Sequence, residues 1–165
     1  MHAEDSPQAA SPGVACLEID SLRELSSYLG VDIGPGGWQV VDQELIDRFG
    51  HLTGDTNWYH VDSSRAAQEL PGGRTIAHGM LTLSLLPGMA MQLIQVRSQV
   101  RALNYGLDKV RFPAPVPVRS RLRLKMRVES ATPSRGGVMF VRACTLELEG
   151  SAKPALVASM STLVY

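Results

Sequence analysis

The sequence predicts an α+β protein in which an antiparallel sheet wraps around one long buried helix. The first observation is a stretch, 76–94, that contains no charged side chain apart from His78, which can carry a charge. The second is the alternation of apolar and polar residues along 119–131, 138–148 and 155–164, which is typical of strands with one buried face. A helix that is apolar on every side has to be covered, and a curved sheet can supply that cover.

The 165 residues are expected to form a single domain behind a disordered tail. Residues 1–17 are rich in Ala, Ser, Pro and Gly and bury too little apolar surface to become ordered. The domain occupies 18–165 and begins with a short amphipathic helix at 18–30, which docks on the main body. The apolar face of this helix consists of Leu22, Leu25 and Leu29.

A strand and two helices are predicted before the apolar stretch. The strand covers 38–41, and the first helix covers 43–52 behind Asp42, whose side chain can cap it. The apolar stripe of this helix consists of Leu45, Ile46, Phe49 and Leu52. The second helix covers 63–69, and a loop of turn-forming residues at 54–57 follows the first helix.

The apolar stretch 76–94 approaches the length that a bilayer requires, but a membrane span is not expected. Gly79, Pro87 and Gly88 interrupt it, and no basic flank marks a cytoplasmic end. We therefore expect a buried helix that Pro87 either kinks or divides.

The remaining chain is expected to complete the sheet. A strand at 102–112 contains Gly106, which marks a bulge or a close approach of another segment. An extended or edge segment follows at 113–117, and a hairpin loop is predicted at 132–137. A single small sheet leaves edges that need covering, which favours the pairing of two protomers edge to edge.

Asp55 and His60 are the first candidates for chemistry. They lie five residues apart in a segment that is rich in turn formers. A carboxylate and an imidazole on such a loop can grip one water molecule between them, which is a general acid–base arrangement. The alternative is structural, with Asp55 capping a turn and His60 as an ordinary surface histidine. Asn57 either orients Asp55 or the loop, or is only a turn residue.

Three segments form a distinctive pattern. They read Leu-Thr-Gly-Asp-Thr-Asn-Trp-Tyr-His at 52–60, Gly-Gly-Arg-Thr-Ile-Ala-His-Gly at 72–79 and Asn-Tyr-Gly-Leu-Asp-Lys-Val-Arg-Phe-Pro at 104–113. This pattern resembles the motifs of the MaoC-like, (R)-specific enoyl-CoA hydratases, and most closely those of the nodulation protein N branch. It departs from many of those hydratases at Trp58, where they have Pro.

The resemblance implies a fold, a reaction and partners. The fold is the hotdog fold, in which the sheet wraps a central helix. The reaction adds water reversibly to a trans-2-enoyl-CoA and gives the (R)-3-hydroxyacyl-CoA, with Asp55 and His60 as the catalytic pair. A base takes a proton from water and an acid delivers one to Cα, so no cofactor is expected beyond the coenzyme A of the substrate. The family also implies at least a homodimer.

Gly79 and His78 are expected to position the substrate at the start of the apolar helix. The first N–H groups of a helix lack internal partners, so the N–H of Gly79 can hold a thioester oxygen as negative charge builds on it. The alternative is that Gly79 is needed only for close packing. His78 either caps or lines the site or is a structural histidine, and the structural role is favoured.

Basic residues recur at alternate positions along 119–127. They either attract the phosphates of coenzyme A or form the solvated outer face of a sheet, and the second interpretation is favoured. Lys109 and Arg111 are further candidates for phosphate contacts. The net charge of zero and the lack of interleaved aromatic residues give no support to a nucleic-acid partner.

Two other functions use the same fold. A hotdog thioesterase often places an acid on the central helix, and 76–94 contains none, which favours a hydratase. A binding protein would hold an acyl group or another small molecule in the same cavity without turnover.

No metal site is expected, because the histidines lack the close pairings of zinc sites. Cys16 and Cys144 form no pattern and are expected to be free thiols in the reducing cytoplasm. The N-terminal residues contain no apolar export signal, which agrees with that location.

Overall fold

The computed structural model describes residues 16–165, so residues 1–15 of the predicted tail lie outside it. Within this range the strands are β1 (Leu17–Ile19), β2 (Asp32–Ile33), β3 (Gln39–Val41), β4 (Ile94–Val96), β5 (Ala102–Arg111), β6 (Ser120–Ser134), β7 (Gly137–Leu148) and β8 (Leu156–Val164). The α-helices are α1 (Gln43–Thr53), α2 (Trp58–Val61), α3 (Ser63–Glu69) and α4 (Gly79–Leu93). A 3₁₀ helix covers Leu22–Tyr28.

The main sheet has six strands in the order β2-β6-β7-β8-β5, with β3 also paired to β6, and all its pairs are antiparallel. The predicted alternation is confirmed in β6, whose buried face consists of Leu122, Leu124, Met126 and Val128. The α+β class is therefore confirmed. β5 lies at one end of the sheet and pairs with β8 alone among the described strands.

The helix α4 packs against the sheet and forms the centre of the core. It contacts β6 and β8. Its buried residues include Leu81, Leu86, Ala90 and Leu93. The helix is continuous from Gly79 to Leu93, so Pro87 does not divide it. Within residues 16–165, no helix is long and apolar enough to cross a membrane.

One side of α4 is exposed, so the expectation of a helix buried on every side is wrong. The exposed stripe consists of Met80, Ser84, Gly88 and Met91. These positions recur every three or four residues, which is the spacing of a single helical face. The sheet therefore covers this helix only in part.

The first predicted helix differs from the observed structure. Residues 17–19 form β1, which pairs in parallel with β4, and the helix that follows is a 3₁₀ helix. A 3₁₀ helix has three residues per turn, so Leu22, Leu25 and Tyr28 share its inner face. The prediction that Leu29 belongs to this face is wrong, and its side chain is 53% exposed.

The helix α1 is confirmed together with its cap, but one residue of its predicted stripe is wrong. Asp42 accepts a hydrogen bond from the backbone N–H of Leu45 at 2.9 Å. The fully buried positions of this helix are Ile46 and Gly50. At 3.6 residues per turn, Leu52 lies about 200° around the helix from Gly50. Leu52 is accordingly 85% exposed.

The structure confirms one predicted detail of the sheet and corrects another. The pairing register shifts between Asn104 and Gly106, which confirms a bulge at Gly106. The hairpin loop is shorter than the predicted 132–137, because β6 and β7 remain paired up to Ser134. The turn consists of Arg135 and Gly136, whose φ angles of 49° and 80° suit a two-residue hairpin.

Candidate active site

The loop that carries Asp55 begins where α1 ends. Gly54 caps α1 with a φ of 78°, in the left-handed region that glycine adopts without strain. The chain therefore reverses at the end of α1 and enters the short helix α2, which the sequence did not predict. Asp55 is partly exposed in the loop, whereas His60 of α2 is buried.

His60 is oriented by a backbone carbonyl. Its Nδ1 lies 2.6 Å from the carbonyl oxygen of Ile76. A carbonyl only accepts hydrogen bonds, so Nδ1 carries the proton and Nε2 of the neutral ring is an acceptor. Burial lowers the pKa of His60, which favours the neutral ring. The alternative that His60 is an ordinary surface histidine is wrong, since only 6% of the residue is exposed.

The peptide groups on either side of Ile76 form hydrogen bonds to two other segments of the chain. The N–H of Ile76 donates to the carbonyl of Tyr59 at 3.0 Å, and the N–H of Ala77 donates to the carbonyl of Val116 at 2.8 Å. On the other side of α2, Gln43 donates to the carbonyl oxygen of His60 at 2.8 Å. The hydrogen bonds to the carbonyls of Tyr59 and His60 fix the backbone on both sides of the imidazole. Sequence reasoning missed Gln43, because a glutamine in the first turn of a helix gives no local sign of such a role.

Asn57 contacts Asp55 directly. Its side-chain amide donates to the Asp55 carboxylate at 2.5 Å. This hydrogen bond is the main reason that the pKa of Asp55 lies below its usual value, and the backbone of Asn57 acts in the same direction. Asp55 is therefore an ionised acceptor near neutral pH. The contact agrees with the interpretation in which Asn57 orients Asp55.

His78 lies against both partners of the pair. Its Nε2 is 2.8 Å from the backbone oxygen of Asp55, so this nitrogen donates and fixes the loop. Its ring stacks on that of His60, with centroids 3.7 Å apart and an interplanar angle of 27°. Its Nδ1 is buried and has no hydrogen-bond partner among residues 16–165. These contacts give His78 a structural role at the site.

Asp55, His60 and His78 converge. One carboxylate oxygen and one ring nitrogen from each histidine lie within 4.8 Å of one another. A water molecule that donates two hydrogen bonds of about 2.8–3.0 Å, at its H–O–H angle of about 105°, bridges two acceptors about 4.4–4.7 Å apart. The geometry thus allows one water molecule to bond to the carboxylate and to an imidazole together.

The same three side chains are also the residue types that bind metal ions. One feature of the site opposes that use. Although one nitrogen of each ring bonds to a backbone oxygen, as in many metal-binding histidines, the two rings are stacked. Stacked rings direct their in-plane lone pairs side by side rather than towards one point. The expectation of no metal site stays a prediction, and the stacking supports it.

Gly79 is the first residue of α4, so its N–H lies in the turn that has no internal acceptors. A Cβ at this position would lie 3.1 Å from the ring of Phe112. Close packing on Phe112 therefore accounts for a glycine here by itself. The oxyanion role of the Gly79 N–H stays a prediction.

The basic candidates fall into two groups. Along 119–127, four of the five basic residues pair with acidic side chains on the outer face, which supports the interpretation of a solvated sheet face. Lys109 and Arg111 are exposed and form no ion pair within the described part of the chain. Arg111 precedes Phe112, whose ring contacts Gly79. Contacts of Lys109 and Arg111 with phosphate groups stay predictions.

The fold and the site together define the class of this protein. A family model described as "MaoC like domain" matches residues 28–147. The chain belongs to this family of MaoC-like dehydratases. The predicted recognition is confirmed, and so is the prediction of an enzyme of the hydratase and dehydratase class.

Two named relatives cover most of the chain. The 3-hydroxyacyl-thioester dehydratase Z of Mycobacterium tuberculosis is 45% identical over 141 residues, which represent 85% of this chain and 93% of that protein. Nodulation protein N of Rhizobium leguminosarum bv. viciae is 44% identical over 147 residues, which represent 87% of this chain and 91% of that protein. The second of these relatives carries the name of the branch that the three motifs indicated.

The solved structures confirm the fold. The unliganded R-hydratase PhaJ1 of Pseudomonas aeruginosa superimposes with a TM-score of 0.68 at 19% identity, over 82% of this chain and 81% of that one. At this identity the similarity concerns the fold alone. The predicted hotdog fold, with an antiparallel sheet against a central helix, is confirmed.

Proposed function

We propose that this enzyme adds water reversibly to trans-2-enoyl-CoA esters and gives (R)-3-hydroxyacyl-CoA esters. The observation that carries the proposal is the pairing of an ionised carboxylate, Asp55, with a buried neutral imidazole, His60. One carboxylate oxygen of Asp55 and one ring nitrogen of His60 lie within 4.8 Å of each other, a distance that one bridging water molecule can span. The name of the mycobacterial relative, a 3-hydroxyacyl-thioester dehydratase, supports this substrate class.

The proposed reaction needs only one water molecule. The water donates its two hydrogen atoms to Asp55 and His60, which leaves an oxygen lone pair free to attack Cβ. As the O–Cβ bond forms, one O–H bond breaks and its proton moves to the pair, while the Cα=Cβ double bond becomes single. The pair then delivers a proton to Cα on the same face. The step needs no redox cofactor, because no electron is gained or lost.

The thioester would be held near the start of α4. Negative charge builds on the thioester oxygen when Cβ is attacked, and a preorganised N–H donor stabilises that charge. The N–H of Gly79 is the candidate donor, next to His78 on the loop side. Lys109 and Arg111 are the candidates for the phosphates of coenzyme A, since both are exposed cations near Phe112.

A homodimer is part of the proposal. β5 ends the sheet and therefore presents unpaired backbone groups to a second copy. Its exposed side chains include Leu103, Tyr105 and Leu107, at alternate positions. A cytoplasmic location is also proposed, because Cys16 and Cys144 are both free thiols.

A hydration assay tests this function. Purified protein is mixed with trans-2-enoyl-CoA esters of short and medium chain length, and the loss of enoyl-thioester absorbance is followed. We expect turnover by the parent and a loss of about 10²-fold or more in kcat/KM for Asp55→Asn and for His60→Ala. Retained turnover in both variants would refute the assigned site. A folded parent that binds the esters without turnover would instead be a binding protein.

A further inference from the structure

A concave site lies away from Asp55 and His60. A cavity of about 420 Å³ opens between the second half of α4 and the inner face of the sheet. Among the α4 residues that line this cavity, Pro87 is the one nearest to the start of the helix. It lies about 12 Å from Gly79 along the helix axis. Most of its wall is apolar. Leu25, Ala90, Ile94, Phe140 and Met160 contribute to that wall.

One charged side chain, Arg142, lines this apolar cavity. It occupies an inward position of β7, where the alternation otherwise places Phe140, Cys144 and Leu146. The residue is only 5% exposed. The charged group therefore lies where the strand pattern calls for an apolar side chain.

The guanidinium group of Arg142 is poorly satisfied by its surroundings. One of its five N–H donors bonds to the hydroxyl of Thr162 on β8, and its Cζ lies 4.6 Å from the ring centre of Phe140. Its Nε is buried and has no acceptor within residues 16–165. None of the ion pairs formed by these residues includes Arg142.

The neighbouring thiol does not compensate this charge. Burial raises the pKa of Cys144 to about 11, so Cys144 is a neutral thiol near pH 7. Arginine itself stays protonated in proteins. A buried cation without a counter-charge is strongly unfavourable, and buried charges in proteins are as a rule paired.

We propose that this cavity binds an organic carboxylate, with the guanidinium of Arg142 holding the carboxylate and the apolar wall holding the hydrocarbon part. The planar fork of an arginine matches the two oxygens of a carboxylate. The cavity volume lies in the range of small-molecule sites. The carboxylate belongs either to a free fatty acid or to the far end of a dicarboxylic acyl thioester. The second source rests on the proposed function.

The first experiment uses the full chain with octanoate and octanamide as probes. The two molecules have the same hydrocarbon chain, but only octanoate carries a charge. Binding is measured by calorimetry and by the saturable rise in melting temperature. We expect octanoate to bind at least about tenfold more tightly than octanamide. Equal affinities would overturn the proposal, because they would show an apolar cavity in which Arg142 takes no part.

A matched pair of variants tests the role of Arg142. Arg142→Met keeps an unbranched side chain and removes the charge, and Arg123→Met makes the same change on the outer face of β6, where Arg123 pairs with Glu147. We expect octanoate affinity to fall at least about tenfold in Arg142→Met alone. The melting temperature of unliganded Arg142→Met is expected to be equal to or above that of the parent. Unchanged affinity in Arg142→Met would overturn the proposal.

The octanamide comparison uses the parent, so it tests the proposal even if Arg142→Met does not fold. Two enoyl-CoA esters of equal chain length, one ending in a methyl group and one in a carboxylate, then distinguish a free fatty acid from the far end of a dicarboxylic acyl thioester. If the acyl chain supplies the carboxylate, Arg142→Met lowers kcat/KM at least about tenfold more for the carboxylate ester. An equal effect on both esters, with octanoate bound, assigns the site to a free carboxylate. Failure of the parent to hydrate either ester would refute the proposed function and leave the octanoate result standing.

Discussion

The buried imidazole of His60 connects the chemistry of the site to the stability of the fold. Its Nδ1–H bonds to the Ile76 carbonyl, and its burial favours the neutral form. A histidine whose folded-state pKa lies below the ordinary value of 6.5 takes up its proton more readily in the unfolded chain. The same environment that leaves Nε2 free to accept a proton therefore makes the folded state sensitive to acid.

The stability of the folded protein is therefore expected to depend on pH. Between pH 6.5 and the lower folded-state pKa of His60, the unfolded chain binds more protons, so the free energy of unfolding falls as the pH falls. We expect urea denaturation to show a lower free energy of unfolding at pH 5.5 than at pH 7, and a shallower decrease in His60→Gln. His51→Gln makes the same change at an exposed position of α1 and should keep the slope of the parent. Equal slopes in His60→Gln and the parent would contradict the assignment.

The residues of the site could be predicted only in part from the sequence. Asp55 and His60 stand out because two titratable groups share a short segment of turn formers, and the structure brings them together. The contacts that orient them come from backbone carbonyls and from Gln43, which carry no residue-specific signal. Arg142 did give a signal, since it interrupts the apolar positions of a regular alternation.

At the scale of elements, the end of α1 determines where the catalytic loop begins. Gly54 has a φ of 78° and Gly88 lies within α4, and a Cβ added at either position meets no atom within 4 Å. The two glycines therefore differ in backbone conformation and not in available space. Only the first should require glycine.

The same substitution at these two glycines should have opposite effects. Gly54→Ala places a Cβ in the left-handed region and is expected to lower the free energy of unfolding by about 1 kcal/mol. Gly88→Ala favours the helix and is expected to raise that free energy by about 0.5–1 kcal/mol. Chemical denaturation of both variants measures the difference. Destabilisation by Gly88→Ala of the same size as by Gly54→Ala would show that packing, and not backbone conformation, controls both positions.

The elements with a strong period were predicted well. Of the short elements, β3 and α3 were predicted, but β1, β2, α2 and β4 were not. β6, β7, β8, α1 and α4 each contain enough residues to show their alternation or stripe. The parallel pairing of β1 with β4 involves three residues in each strand, too few to show a period. The 3₁₀ helix aligns every third residue, so an α-helical reading placed Leu29 on the wrong face.

For the whole molecule, the exposed edge at β5 leads to a prediction about assembly. Leu107 is 46% exposed on this strand, and Leu52 is 85% exposed on α1. If two copies join along β5, a charge at Leu107 is buried without a partner, and Leu107→Lys should convert the dimer to a monomer in light scattering. Leu52→Lys, the matched control, should leave the dimer intact. A dimeric Leu107→Lys, or a parent that is monomeric throughout, would contradict the proposed interface.

In the proposed mechanism, one water molecule, held by Asp55 and His60, supplies both the hydroxyl group and the proton. The most direct test is hydration of a trans-2-enoyl-CoA ester in D₂O, with the relative configuration at Cα and Cβ read from proton NMR coupling constants. A pair that acts on one face predicts that deuterium at Cα and the hydroxyl group at Cβ add syn. Addition to opposite faces would require a second proton donor across the substrate and would contradict the account.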